Sequence, residues 1–394
     1  MKRLMVAFGA VILVSSLSAG GQSKGVIKIV SQTPLSGGQS VLGTATKNGV
    51  DLAVQDFGKL VTAYGFRFVF EPYDDQANKD IGVVNANRLI NDPDVLAVVG
   101  HMNSGVAIPS SEVYARANLT MVSPSNTNPL ITDRKSTAAV TNRVCGRDDV
   151  QGPAGAEFAV NTLKAKRVYV VNDKTAYGEG IAAAFSARAK ALGAQVLAEL
   201  GVESSERDFN SILNRAAIDK PDVIYFGAIY DQAAPFIKQA RAKGVTATIM
   251  GGDGWDSSDL QALAGEGNMK NVYFTTTSAP ISALPAARRF AERYKAKFNK
   301  DPEGYSAYGY DAARVVIQAI ANALRDGKGA KPTRAAVAKA VRGVKFNGVT
   351  GAIAFNARGD LPVAKYVIIA PQTQYTQNKV AQIISVASPS PEMK

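Results

Sequence analysis

Small hydroxyl and amide residues cluster twice within residues 95–129, VLAVVGHMNSGVAIPSSEVYARANLTMVSPSNTNP, each time just after a short apolar run. Ser104 follows the first run; Ser125, Asn126 and Thr127 follow the second. The spacing of Val106, Pro109, Val113 and Ala117 predicts a helix that opens near Ser104, so free backbone N–H groups and a hydroxyl meet there. Such a place holds a carboxylate without a full cation. A complementary acid, Asp253, lies on the glycine turn Gly251-Gly252-Asp253-Gly254-Trp255, where it can accept from a cation. Catalysis finds less support. His101 is the only histidine and lies close to Ser104, but no G-x-S-x-G elbow accompanies it. With neither a second histidine nor a nearby cysteine, it makes no metal cluster, and its expected role is to fix its loop through the ring nitrogens. Gly178-x-Gly180-x-x-Ala183, with Glu199 at the end of the next strand, imitates a dinucleotide fingerprint. Residues 173–177 separate the strand end from the first glycine, whereas that fingerprint needs its glycine in the turn itself. No cofactor and no metal is expected.

The elements that must position these residues alternate between strand and helix. Residues 26–30, 66–70 and 95–99 read as strands, and Val50, Ala53, Val54 and Phe57 stand at i, i+3, i+4 and i+7 of a helix between the first two. Residues 81–90 give the second helix, completing a β-α-β-α-β order that argues for a parallel sheet with helices on both faces. Ligands of such sheets bind beyond the carboxyl ends of the strands, where both hydroxyl clusters lie. Residues 138–144 read as a strand leaving this lobe, after which the alternation restarts with strands at 167–171, 194–200, 223–226 and 247–250 and helices at 178–192, 208–219 and 232–243. Residues 272–276 read as a strand returning to lobe one, and 351–355 and 365–369 as late strands around the turn 356–360.

At 394 residues with 46% hydrophobic residues, the chain is globular and long enough for two lobes. Residues 1–21 read as a secretory signal: Lys2-Arg3, an apolar run over 4–14, then small residues suited to cleavage within 19–23. No later run approaches the roughly 20 apolar residues of a spanning helix, so the mature chain is not expected to span a membrane. The one cysteine, Cys145, lies far from the cleavage region, which excludes an intrachain disulfide and a lipidated cysteine at the new N-terminus. An unanchored exported protein must be retained by an outer envelope, which points to the periplasm. The formal charge of +12 is scattered over helix faces such as Arg288-Arg289, Arg293, Lys295 and Lys297, unlike the clustered, aromatic-interleaved pattern of nucleic-acid binders.

The chain resembles the periplasmic binding proteins for leucine, isoleucine and valine, which feed ABC importers. The likeness rests on Ser36-Gly37, Tyr73-Asp74-Asp75, Val99-Gly100-His101, Ser123-Pro124 with Thr127-Asn128-Pro129, Gln151-Gly152-Pro153, Asp173-Lys174 with Tyr177-Gly178-Glu179-Gly180, and Gly359-Asp360, all in shared order. It implies an α/β fold of two Rossmann-like lobes with parallel sheets joined by a three-strand hinge, with lobe one at 24–144 and 276–353 and lobe two at 145–275 and 354–394. It implies a binder and not an enzyme, a monomer that delivers a small amino acid to an inner-membrane ABC permease. Position by position it brings Met102, Asn103 and Ser104, then Ser125, Asn126 and Thr127, and across the cleft Tyr177, Ile229 and Asp253 around the ligand, with Leu42 where an aromatic often packs. In that arrangement Ser104 and Thr127 hold the carboxylate and Asp253 the ammonium. Asp253 stands where the best-known members carry glutamate, and Ala77 and Asn103 stand about where those members carry a disulfide. Receptors of the same fold for an amide, a urea or an aromatic acid are the alternative, and an exported NAD-dependent enzyme a more distant one.

Overall fold

The computed structural model describes residues 23–277, 280–281 and 287–387; the expected signal at 1–21 lies outside them. Two sheets organise the chain. The first has β1 (Val26–Thr33), β2 (Arg67–Asp74), β3 (Val95–Gly100), β4 (Thr120–Ser123) and β5 (Thr141–Arg143) in the order β2-β1-β3-β4-β5, all parallel. Its central strand β3 is buried along its whole length, which is why VLAVVG runs apolar without alternating. The second contains β6 (Arg167–Asn172), β7 (Gln195–Gly201), β8 (Val223–Gly227), β9 (Thr248–Gly251) and β10 (Val272–Thr276). After the short ribbon β11 (Phe346–Asn347) and β12 (Ala352–Ile353), the strands β13 (Val363–Ala370) and β14 (Lys379–Ala387) extend the second sheet, whose order is β14-β13-β10-β9-β8-β6-β7. The fold is therefore α/β, with a sheet in each of two lobes.

Two expectations need correction, and one strand was not foreseen. The strand at 272–276 does not return to the first lobe: it lies inside the second sheet, parallel to β9 and antiparallel to β13. Its apolar residues cover the same core as β9, and the chain crosses only after it. Residues 351–355 form no sheet strand, contributing only β12 to the two-stranded ribbon. The edge strand β14 had no expectation at all; exposed Val380 and Ile383 leave it without a clean two-residue period.

Two helices from distant parts of the sequence close the first lobe over the cleft. Ser40–Phe57 lies against Gly304–Asp326 so closely that a Cβ on Gly49 would stand 1.9 Å from the Ser306 carbonyl oxygen, and one on Gly309 would stand 2.4 Å from that of Thr46. Glycine is needed at this crossing because the backbones touch. The approach fixes the start of the second helix, where a reciprocal cap between Glu303 and Ser306 sets the direction of Tyr305. Among the described residues no helix is long and apolar enough to cross a membrane.

Candidate functional site

A cavity of about 360 Å³ lies where the carboxyl ends of the two sheets face each other. Its first-lobe wall begins at the helix Ser104–Arg116, capped by Asn103 in extended conformation. The Asn103 side chain makes no cap bond; its Nδ2 donates instead to Gln39 Oε1 at 2.7 Å. The opening N–H groups of a helix have no intrahelical partner, and Ser104 and Gly105 both line the cavity. A ready-made anion site results. Ser125 lines the same wall, its hydroxyl donating to the carbonyls of His101 and Met102, each at 3.1 Å.

Asp253 forms the opposite end. It opens the 3-10 turn Asp253–Trp255 beyond β9 and is fully buried. Its Oδ1 accepts from Tyr177 Oη at 2.9 Å and from Gln151 Nε2 at 3.1 Å, and its Oδ2 accepts from Tyr305 Oη at 2.6 Å. Burial pushes the carboxyl up from its usual range, while the two hydroxyls and the amide pull it back toward the ionised form. The glycines of the turn are steric requirements: a Cβ on Gly252 would stand 2.4 Å from Tyr177 Oη, and one on Gly254 2.7 Å from Ile229. Tyr305 belongs to the first lobe and Asp253 to the second, so this bond ties the lobes together. Tyr230 Oη donating to the Gly38 carbonyl at 2.6 Å and Asn128 Nδ2 donating to that of Ala176 at 2.6 Å do the same. The cleft is closed.

Of the residues expected at the ligand, Met102, Asn103, Ser104, Ser125, Tyr177, Ile229 and Asp253 line the cavity. Leu42, Asn126 and Thr127 do not. Leu42 is buried in the apolar cluster that also contains Met102, Tyr177 and Ile229, so it backs the wall from within. Asn126 is spent on its own loop: Nδ2 donates to the Met102 carbonyl at 2.8 Å and Oδ1 accepts from Ser123 at 2.7 Å. Thr127 is fully buried, its hydroxyl set against the Asp148 carboxyl and without another partner among the described residues. His101 packs beneath the loop between Asp75, Gln32 and Tyr114, its ring nitrogens 3.2 Å from Asp75 Oδ2 and 3.0 Å from Tyr114 Oη. Gly178 is a packing glycine, since a Cβ there would stand 2.1 Å from Asp173 Oδ1 and 2.4 Å from the Gly227 carbonyl oxygen.

Several residues at the site were not expected there from the sequence. Tyr305 is one of three tyrosines in a helix start some 200 residues beyond Ser104, and only the glycine crossing of two helices brings it to Asp253. Gln39, Lys79 and Lys174 line the rim. Gln151 reaches Asp253 from the helix Asp148–Glu157; its place in Gln151-Gly152-Pro153 gave the only hint.

A family model described as periplasmic binding protein matches residues 26–373. The chain belongs to that family. It is 32% identical to an amino acid binding protein of Pseudomonas aeruginosa over 335 residues, 85% of this chain and 87% of the relative. A Leu/Ile/Val-binding protein of Rhizobium johnstonii is 33% identical over 328 residues, 80% of this chain and 88% of the relative. The crystal structure of the leucine binding protein LivK of Thermotoga maritima superposes with a TM-score of 0.82 at 31% identity, covering 92% of this chain and 99% of that one.

Proposed function

We propose that this periplasmic binding protein is the receptor of an ABC importer that closes on a small aliphatic α-amino acid, branched-chain by preference, and presents it to an inner-membrane permease. The observation that carries the reading is the pairing of unlike ends across one cavity. The helix start at Ser104 and Gly105 suits a carboxylate, and Asp253 with Tyr177 and Tyr305 suits an ammonium. Between them Met102, Ala176 and Ile229 offer short apolar surface to an aliphatic side chain. A free amino acid has both charges on one carbon, so it fills the two ends at once and bridges the lobes. The names of the relatives support the same ligand class. Lobes at 24–144 with 276–353 and 145–275 with 354–394, export by a cleaved signal without a lipid anchor, and action as a monomer belong to this reading.

Calorimetry of the purified protein against the twenty amino acids tests it. Leucine, isoleucine or valine should bind at micromolar or tighter concentration with one site per chain. Failure of every amino acid, alongside binding of an amide, a urea or an aromatic acid, would overturn the ligand class.

A further inference from the structure

One buried acid has no part in the site described so far. Asp148 is the first residue of the helix Asp148–Glu157 and is completely buried, yet its carboxylate oxygens have no hydrogen-bond partner among the described residues beyond the Thr127 hydroxyl. It sits in the seam between the lobes. Its backbone N–H donates to the Thr127 carbonyl at 2.9 Å on the first-lobe side, and its Oδ2 would be 3.8 Å from a Cβ on Gly180 in the second-lobe helix Ala176–Ala191. The Thr127 hydroxyl is set against the carboxyl group and has no other partner among the described residues.

The groups around Asp148 are mostly acidic or phenolic. Asp253 faces it from the turn beyond β9, Asp149 from its own helix, Tyr177 from the helix Ala176–Ala191, Tyr225 from β8, Tyr366 from β13, and Cys145 from the segment before it. Arg143 on β5 is the one cation among them. Its guanidinium is already committed: Nε donates to Asp360, Nη1 to the carbonyls of Asn126 and Asn128, and Nη2 to Thr132. An ionised carboxylate here would be buried with no donor but the Thr127 hydroxyl and beside a second carboxylate, an arrangement that drives a proton onto one of the two. Asp253 has three donors and Asp148 at most the Thr127 hydroxyl, so the proton belongs on Asp148.

We infer that Asp148 is a positioning residue that takes up a proton as the lobes close on ligand and thereby sets the orientation of the Thr127 hydroxyl in the loop behind the carboxylate end of the cavity. The inference rests on the amino-acid reading above. A protonated Asp148 donates its O–H to Thr127 Oγ1, leaving the hydrogen of Thr127 for an acceptor elsewhere. An ionised Asp148 would claim that hydrogen and leave Thr127 nothing to donate. Opening the cleft separates Thr127 and Asn128 from the helix Ala176–Ala191 and admits water to the seam, where the carboxyl recovers its ordinary acidity and releases the proton. Burial, and then Asp253, push the closed-state carboxyl up, the direction this requires.

The sign is fixed by linkage. The closed form binds one more proton, so affinity is greatest at low pH and falls as pH rises, by up to about tenfold per pH unit between the open-state and closed-state values. Calorimetry with leucine between pH 6 and 8, repeated in buffers of different ionisation enthalpy, measures both the affinity and the protons taken up. Wild type should take up close to one proton per ligand and weaken with pH. Asp148→Asn, whose amide N–H can still donate to Thr127, should bind leucine with no proton uptake and a flat pH profile. Asp148→Ala, which lacks the donor, should lose about tenfold or more at pH 6. Wild-type binding without proton uptake overturns the inference and leaves the amino-acid reading standing. Uptake that persists in Asp148→Asn overturns it as well and assigns the proton to another buried acid, such as Asp256, pushed up by burial to about 6, or Glu303, to about 7. If no amino acid binds at all, the receptor reading falls first and this one with it.

Discussion

Asp253 has a nearly full complement of donors before any ligand arrives. A carboxylate offers about four acceptor positions, and Gln151, Tyr177 and Tyr305 occupy three of them. One is left for an ammonium, and the Tyr305 oxygen, having donated its hydrogen, can accept a second of the ammonium's hydrogens. Asp253→Asn removes the charge and turns an N–H₂ group toward donors, either the Tyr305 hydroxyl or the Tyr177 hydroxyl and the Gln151 amide. It should cost roughly 2–5 kcal/mol of leucine affinity in calorimetry, the range for truncating a buried charge pair, with little change in melting temperature. Ser104→Ala removes one donor among several around the carboxylate and should cost less, about 1–3 kcal/mol. An Asp253→Asn protein that binds as tightly as wild type would make the acid a structural member of the turn. At this scale the sequence was informative where a residue's neighbours along the chain decide its role. Ser104 opens the expected helix, and Asp253 lies on the expected glycine turn. It was silent where the role is decided across space. Whether Leu42 faces the cavity or stands behind Met102 depends on the helix rotation that packing selects, and the Tyr305 hydroxyl meets Asp253 only through a crossing of helices.

The loop that carries Asn126 and Thr127 is held in place by an element the cavity never touches. Arg143 on β5 is fully buried and spans from Asp360 to the carbonyls of Asn126 and Asn128, at 2.8 and 3.0 Å. Arg147 meets the other oxygen of Asp360 at 3.0 Å and also pairs with Asp133 and Asp149. The ion-pair network thus joins the end of the first sheet to the turn before β13, where the chain passes between lobes. Arg143→Met leaves buried acceptors without their donor and should lower unfolding free energy by roughly 3–5 kcal/mol in urea titration. The pH dependence follows from Asp360. Burial raises its carboxyl, but Arg143 and Arg147 prevail and hold it below the usual range. Its stabilising contribution is therefore complete above the ordinary carboxylate value of about 4 and disappears as pH falls through the lowered folded-state value. Asp360→Asn should be clearly less stable than wild type at pH 7, with the gap closing as pH falls through the lowered folded-state value; a gap that persists in stronger acid would place the cost in packing. The helices and parallel strands of both lobes were legible because apolar periodicity and burial coincide in them. The late strands were harder to read: β12 is two residues long, and β14 lies on an edge with apolar residues in solvent. The placement of β10 depended on which sheet it joins, and an apolar strand of five residues fits either.

At the scale of the whole molecule, ligand binding and lobe closure are one equilibrium, because the carboxylate and ammonium ends belong to different lobes. Contacts that join the lobes without touching the ligand therefore tune affinity by setting how readily the closed form is reached. The hydrogen bond from Tyr230 Oη to the Gly38 carbonyl is one such contact, at 2.6 Å. The helix that carries Tyr230 belongs to the second lobe, and the ring is buried in the apolar cluster built largely on that lobe. Tyr230→Phe keeps that packing and removes only the interlobe bond, a loss of about 0.5–1.5 kcal/mol from the closed state. Leucine affinity should fall by about two- to tenfold while the melting temperature of the ligand-free protein stays the same. The kinetics separate closure from contact. If the bond forms only as the lobes meet, stopped-flow traces should show the loss in a faster dissociation rate, with association nearly unchanged. An unaltered dissociation rate would mean that the lobes close as well without this bond, and the ligand's own two charges would then be what holds the cleft shut.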